Sequence, residues 1–137
     1  MQFSDALDFL RQEHTSVVTT IGKSGGAQST IVRAGPYEGK MAMVVRGDTV
    51  KLRNLERDAR CTVLTVQPDW RKSVTVEGTA ELHGPGDTDA EVLRLLLRAA
   101  FVAAGGAHDN WDEYDRVMKE QARVVVLVTP VRVYGRV

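Results

Sequence analysis

"DTVKLRNLERDARCTVLTV", residues 48–66, decides the reading of this chain. It follows the apolar run "MAMVV" (41–45), opens as a short helix and turns into the β-branched run "CTVLTV" (61–66). Asp48 or Thr49 is the expected N-cap, and Leu52 and Leu55 give the helix its buried face. The same stretch carries Lys51, Arg53, Arg57 and Arg60, with Arg46 just upstream. A lysine in the first turn opposes the helix dipole, but it lies beside N–H groups free to bind an anion. Lys51 and Asn54, three apart, share a face, and Arg46 can point into the same space. The competing reading is a solvated basic face with its arginines paired to Glu56 and Asp58.

Strand-and-turn patterning continues on both sides. Ser4 is the expected cap of a helix over 5–13. "SVVTTI" (16–21) and "AQSTIVRA" (27–34) flank the turn signal "GKSGG" and read as a hairpin. "GPYEG" (35–39) reads as a turn and "KMAMVV" (40–45) as a strand. In "KSVTVEGTAEL" (72–82), Val74, Val76, Gly78, Ala80 and Leu82 alternate with polar residues, so one face is buried. Thr88 and Glu91 read as a capping box for a helix reaching about Ala104, stopped by Gly105 and Gly106. A further helix spans 110–122, with Trp111, Tyr114 and Met118 at core spacing. "RVVVLVT" (123–129) is a strand that Pro130 interrupts, and "VRVYGRV" is a last one. About seven strands and four helices, joined mostly by tight turns, predict an α+β protein with a largely antiparallel sheet closing towards a small barrel. One domain over 1–137 is expected.

Composition narrows the function classes. Lys plus Arg is 18 and Asp plus Glu is 18 in 137 residues, which argues against a nucleic-acid or membrane-surface binder. Phe, Trp and Tyr total 8 (3, 2 and 3), too few to favour a base-stacking platform. No run of about 20 apolar residues predicts a membrane span, and the acidic N-terminus does not resemble a signal peptide. The single Cys61 fits a reducing compartment, so a soluble, cytoplasmic protein is expected. His14, His83 and His108 lack ligand spacing, and no metal site is expected. "GKS" (22–24) lacks the upstream glycine of a phosphate loop. There is no GxGxxG and no nucleophile elbow around Ser24, Ser29 or Ser73.

The segment 50–66 with "VTVEGTAEL" (74–82) resembles the split-barrel flavoprotein superfamily, the pyridoxamine-phosphate-oxidase-like fold. "AAGGAHDNWDEYDRVMKEQARVVVLVTPVRVYG" (103–135) is similar to the branch that binds the deazaflavin coenzyme F420, where a pattern close to "AGxxHxDWDEYxxxMxxxxRVVxxxxPxxVYG" recurs. Asn110 stands where the pattern has Asp, and Ala59 where "RDPR" has Pro. The resemblance covers nearly the whole chain. It implies a mostly antiparallel six-stranded split barrel with flanking helices, and a homodimer with cofactor sites at its interface. It further implies that Lys51 contacts a cofactor phosphate, helped by Thr49 and Asn54. Ser29, Thr30, Ile31, Arg33, Val45 and Arg46 would line the ring system, and Trp70 would reach the partner's site. The implied activity is hydride transfer from reduced F420 to an electron-poor small molecule such as an enone, quinone or nitro compound. FMN is the alternative cofactor, and a non-catalytic flavin- or haem-binding module the alternative class. Tyr37 and Thr30 are candidate proton donors.

Overall fold

The computed structural model describes residues 1–137. A 3₁₀ turn, Phe3–Ala6, leads into α1 (Leu7–Gln12), followed by β1 (Thr15–Ile21), β2 (Ala27–Arg33), β3 (Gly35–Tyr37) and β4 (Lys40–Val45). Then come α2 (Val50–Arg57), β5 (Arg60–Val66), β6 (Ser73–His83), α3 (Ala90–Ala103), α4 (Trp111–Glu120) and β7 (Val124–Arg136). All seven strands join one antiparallel sheet in the order β2-β1-β5-β6-β7-β4-β3. The sheet curls into a half-barrel whose end strands, β2 and β3, are not paired with each other. The fold is therefore the expected α+β split barrel, with three-residue β3 added to six longer strands. No helix is long and apolar enough to cross a membrane.

Strand alternation builds two cores. Val18, Val63, Val74, Val76, Met41 and Met43 fill the inside of the curl with Leu10 and Leu55. On the other side of β4 and β7, Ala42, Val125 and Leu127 meet Leu93, Leu97 and Ala100 of α3 and Tyr114 of α4. Helices thus cover the outer face at one end of the sheet. The outer face of β2, β1, β5 and β6 is left open, and Ile31, Val131 and Trp70 are 77%, 77% and 82% exposed.

Several local expectations change. Gly35–Tyr37 is a strand, and the turn to β4 is only Glu38–Gly39, both at positive φ (48° and 78°). Two such residues give the twist that suits a tight hairpin. Pro130 does not end a strand: β7 runs through it, with Gly78 opposite Pro130 and Glu77 opposite Arg132. Val131 is the extra residue of a bulge, which tolerates a proline without a ladder donor. Ser4 lies inside the first 3₁₀ turn, where Asp5 Oδ2 accepts from Gln2 N at 2.7 Å. The cap of α3 is Asp89, not Thr88: its carboxylate accepts from the N–H groups of Glu91 and Val92. An ionised cap one residue later satisfies two first-turn donors at once.

Both C-terminal helices end in the same way. In α3, Gly106 N donates to Phe101 O and Gly105 N to Val102 O, with Gly105 at φ 87°. In α4, Arg123 N donates to Met118 O and Ala122 N to Lys119 O, with Ala122 at φ 49°. These are Schellman endings, but the second places an alanine where glycine is preferred. A left-handed alanine costs about 1 kcal/mol or more. Ala122→Gly is accordingly expected to raise stability by about 1 kcal/mol in urea unfolding; a decrease would show that the Ala122 methyl group makes an indispensable contact.

Candidate functional site

Where the rim of the half-barrel meets the C-terminal helices, a cavity of about 360 Å³ opens. The end of β2 supplies Ile31, Val32 and Arg33, and the end of β4 with its following turn supplies Val44, Val45, Arg46 and Thr49. Lys51 enters from the first turn of α2, Phe101 from α3 and Ala104 from its C-terminal cap, Tyr114 and Met118 from α4, and Arg123 from the turn just before β7. Four cations therefore line the cavity, and no lining residue is acidic. The rest of the wall is mainly apolar.

Each cation has a distinct support. Arg33 donates through Nε to Ala104 O and through Nη2 to Gly105 O, both at 3.3 Å. The negative end of α3 thus holds this guanidinium. Gly105 is required here, since a Cβ on it would lie 2.4 Å from the His14 ring and 2.7 Å from Arg33 Nη2. Arg46 pairs on its exposed side with Asp48 at 3.4 Å. Lys51 and Arg123 form no ion pair with any carboxylate; the side chain of Arg123 donates through Nε to Gln121 Oε1 at 2.8 Å. Burial lowers the Lys51 pKa from 10.5, and the Arg123 charge lowers it further. Burial, followed by the Arg46 charge, lowers that of Arg123. The cations repel one another in a partly desolvated place, an arrangement that an anion relieves.

The start of α2 adds donors. Thr49 holds the N-cap position, but its hydroxyl donates to Arg46 O at 3.0 Å and does not cap the helix. The first-turn N–H groups therefore have no side-chain acceptor, and they open beside Lys51.

Of the residues singled out in the sequence, Ile31, Arg33, Val45, Arg46, Thr49 and Lys51 come together around this cavity. Four lie elsewhere. Ser29 is on the Ile31 face of β2, but its hydroxyl bonds Thr19 Oγ1 at 2.8 Å. Thr30 faces the opposite side, and its Oγ1 is buried without a partner. Asn54 is buried against β1, donating to Thr20 Oγ1 at 3.1 Å and accepting from Arg57 Nη2 at 2.9 Å. It fastens α2 to the barrel and does not share the Lys51 face. Trp70 stands in the β5–β6 turn at φ 65°, away from the cavity and in the open.

The sequence pointed to neither Phe101, Tyr114 and Met118 as cavity wall nor Arg123 as one of its cations. The three apolar residues read as core because they are also core: Tyr114 donates its hydroxyl to Leu97 O at 2.9 Å and stacks at 4.9 Å on Phe101. Arg123 did leave a signal, a lone cation between a helix end and five apolar strand residues. Burial pushes the Tyr114 pKa up to about 12, so its hydroxyl stays protonated. Trp111 packs on Phe101 and Tyr114 and does not line the cavity.

Comparison with known proteins agrees with this architecture. A family model for pyridoxamine 5'-phosphate oxidase matches residues 4–136. Among solved structures, a conserved hypothetical protein from Mycobacterium tuberculosis superposes with a TM-score of 0.75 at 23% identity, over 99% of this chain and 84% of that one. An F420 reductase superposes with a TM-score of 0.69 at 14% identity, over 93% of this chain and 94% of that one. A haem-binding protein from Mycobacterium smegmatis gives 0.69 at 18% identity, with 95% of this chain covering 50% of that one. At these identities the likeness is one of fold.

Proposed function

Because the chain belongs to the pyridoxamine 5'-phosphate oxidase family, we propose that it is an oxidoreductase that binds coenzyme F420 in the cationic cavity. The substrate would be a small electron-poor acceptor such as an enone, quinone or nitro compound. The observation that carries this reading is the lining itself: Arg33, Arg46, Lys51 and Arg123 with an apolar wall and no acid. That donor set suits a ligand with a flat apolar body and a strongly anionic arm. The motif at 103–135 and the F420 reductase among the structural relatives favour F420 over FMN. FMN remains the second reading, because Lys51 and the open start of α2 suit a terminal phosphate equally well.

When bound, F420 supplies the hydride chemistry. The chain's own part is binding and orientation. Lys51 and the first-turn N–H groups would hold the phosphate, while Arg33, bonded to the carbonyls of Ala104 and Gly105 at the end of α3, fixes one edge of the cavity. Val45, Phe101 and Met118 form its apolar wall. Tyr37 and Thr30, the two hydroxyls expected to supply a proton, are both absent from the cavity lining. The proton completing reduction therefore comes from solvent or from the acceptor's surroundings.

The cavity opens at Ile31, which also stands on the uncovered sheet face with Val131 and Tyr134. A second copy packed on that face would close the cavity and bury Trp70, making a homodimer the form in which the site is complete. A monomer by light scattering that still binds coenzyme tightly would refute that assembly.

Steady-state turnover tests the activity. Reduced F420 with a quinone or enone should be oxidised at a saturable rate, and FMN with a reductant should support a slower one. Tight coenzyme binding without turnover of any acceptor would make this a carrier and not an enzyme. The lowered Lys51 pKa adds a pH signature. The ligand binds the charged lysine, so affinity is level below the Lys51 pKa and falls as pH rises through it. Since that pKa lies below 10.5, the fall should begin at lower pH than for an ordinary lysine, and Lys51→Arg should remove it. A pH-independent affinity up to 10.5 in the wild type would contradict the assignment.

A further inference from the structure

We propose that Arg123 is a ligand-contacting residue. With Arg46 and Lys51 it forms one locus for a group bearing at least two negative charges, either a phosphomonoester or a phosphodiester with an adjoining carboxylate. This deepens the anion-site reading above and rests on it.

The backbone delivers Arg123 to the cavity by a specific device. Ala122 adopts φ 49°, which turns the chain sharply after α4, and Arg123 N closes the turn on Met118 O. The turn is pressed against the one preceding α2: Gly47 N donates to Gln121 O at 3.4 Å. A Cβ on Gly47 would lie 2.5 Å from Ala122 O. Two turns far apart in sequence are thus clasped, and Arg46 and Arg123 flank the clasp. The left-handed alanine belongs to the helix ending itself, and the clasp with the second turn fixes where the residue after it emerges.

Charge gives the second argument. Half-buried cations in a folded protein are normally paired. Here Asp48 pairs directly only with Arg46 and reaches Arg123 only through space, while Lys51 and Arg123 have no carboxylate within ion-pair distance. Gln121 occupies Nε of Arg123, leaving its terminal N–H groups for the cavity. A planar guanidinium fork fits two oxygens of a phosphate or carboxylate. With Arg46 paired to Asp48, Lys51 and Arg123 remain: one phosphodiester charge would leave one of the two unanswered, and two would balance them.

Isothermal titration with inorganic pyrophosphate and with the monoanion dimethyl phosphate tests the proposal. The proteins are wild type, Arg123→Ala, Arg123→Lys, Lys51→Ala and the exposed-surface control Arg53→Ala, each checked for folding by thermal melting. Wild type and Arg53→Ala should bind pyrophosphate at least tenfold more tightly than dimethyl phosphate. Arg123→Ala should lose about tenfold or more for pyrophosphate and little for dimethyl phosphate, and Arg123→Lys should recover part of that loss. Wild-type affinity for pyrophosphate in a folded Arg123→Ala would overturn the proposal. If Lys51→Ala were weakened in the same experiment, the anion-site reading would survive without Arg123. If wild type bound no pyrophosphate, or if neither variant changed its affinity, both would fall.

Discussion

Lys51→Ala is expected to weaken binding of a phosphate-bearing coenzyme by roughly 10- to 150-fold, while the free protein stays as stable as wild type or gains slightly. The binding loss is that of one charge-assisted hydrogen bond, about 1.5–3 kcal/mol. The stability argument has the opposite sign. Lys51 sits in the first turn of α2, where a cation opposes the helix dipole, and burial and Arg123 both disfavour its charge. Below the Lys51 pKa of the folded protein, the lysine is charged in both folded and unfolded chains and contributes no stability. Between that pKa and the ordinary value, the unfolded chain binds the extra proton, so stability rises with pH through this window and is fully gained above 10.5. Removing the ammonium should flatten that rise. Coenzyme titration beside melts at several pH values checks both halves. Equal affinities in variant and wild type would return α2 to a plain solvated helix. Arg53, exposed and without a partner in the fold, is the proper control. Arg57 is not, because it donates to both Ile21 O and Asn54 Oδ1 and so holds α2 on the barrel.

Tyr114→Ala should destabilise the protein by about 3–5 kcal/mol. The ring is 4% exposed and lies between Phe101, Trp111 and His108. Its loss leaves a cavity beneath α3 and α4 and removes the hydrogen bond from its hydroxyl to Leu97 O. What then joins these helices is the edge contact of Phe101 with Trp111 and the clamp of Arg94 and Arg98 on Asp115. Tyr114→Phe keeps the packing and loses only the hydrogen bond, about 1 kcal/mol. Urea unfolding separates the two. Equal losses would make the hydroxyl the dominant contact, and a loss below 1 kcal/mol for Tyr114→Ala would mean the helices repack.

The strand register was readable where alternation was strict. Val74, Val76 and Gly78 face inward as their spacing requires, and the helix carrying Lys51 stood out because it concentrates charge between two apolar runs. What misled was context that only neighbouring chain supplies. Gly35–Tyr37 contains a glycine and a proline and reads as a turn, yet β4 offers it a partner. Pro130 reads as a break, yet a bulge opposite Gly78 accommodates it. Asn54 reads as a ligand contact because it lies three residues from Lys51, but β1 presents Thr20 to it and takes it inward. Arg123 is distant in sequence from the basic helix, and only the packing of two turns brings it beside Lys51. Half of the cavity wall was legible, the half on β2, β4 and α2. The half on α3, α4 and β7 depends on how the helices lie over the sheet.

We propose that this cavity holds an anionic, F420-type coenzyme. It is tested most directly by titrating the purified protein with oxidised F420 and, separately, with FMN, at low and raised salt, following absorbance and fluorescence. Saturable binding of F420, tighter than that of FMN and weakening as salt screens the four cations, is the predicted result. No saturable binding of either coenzyme, or binding indifferent to salt, would contradict it.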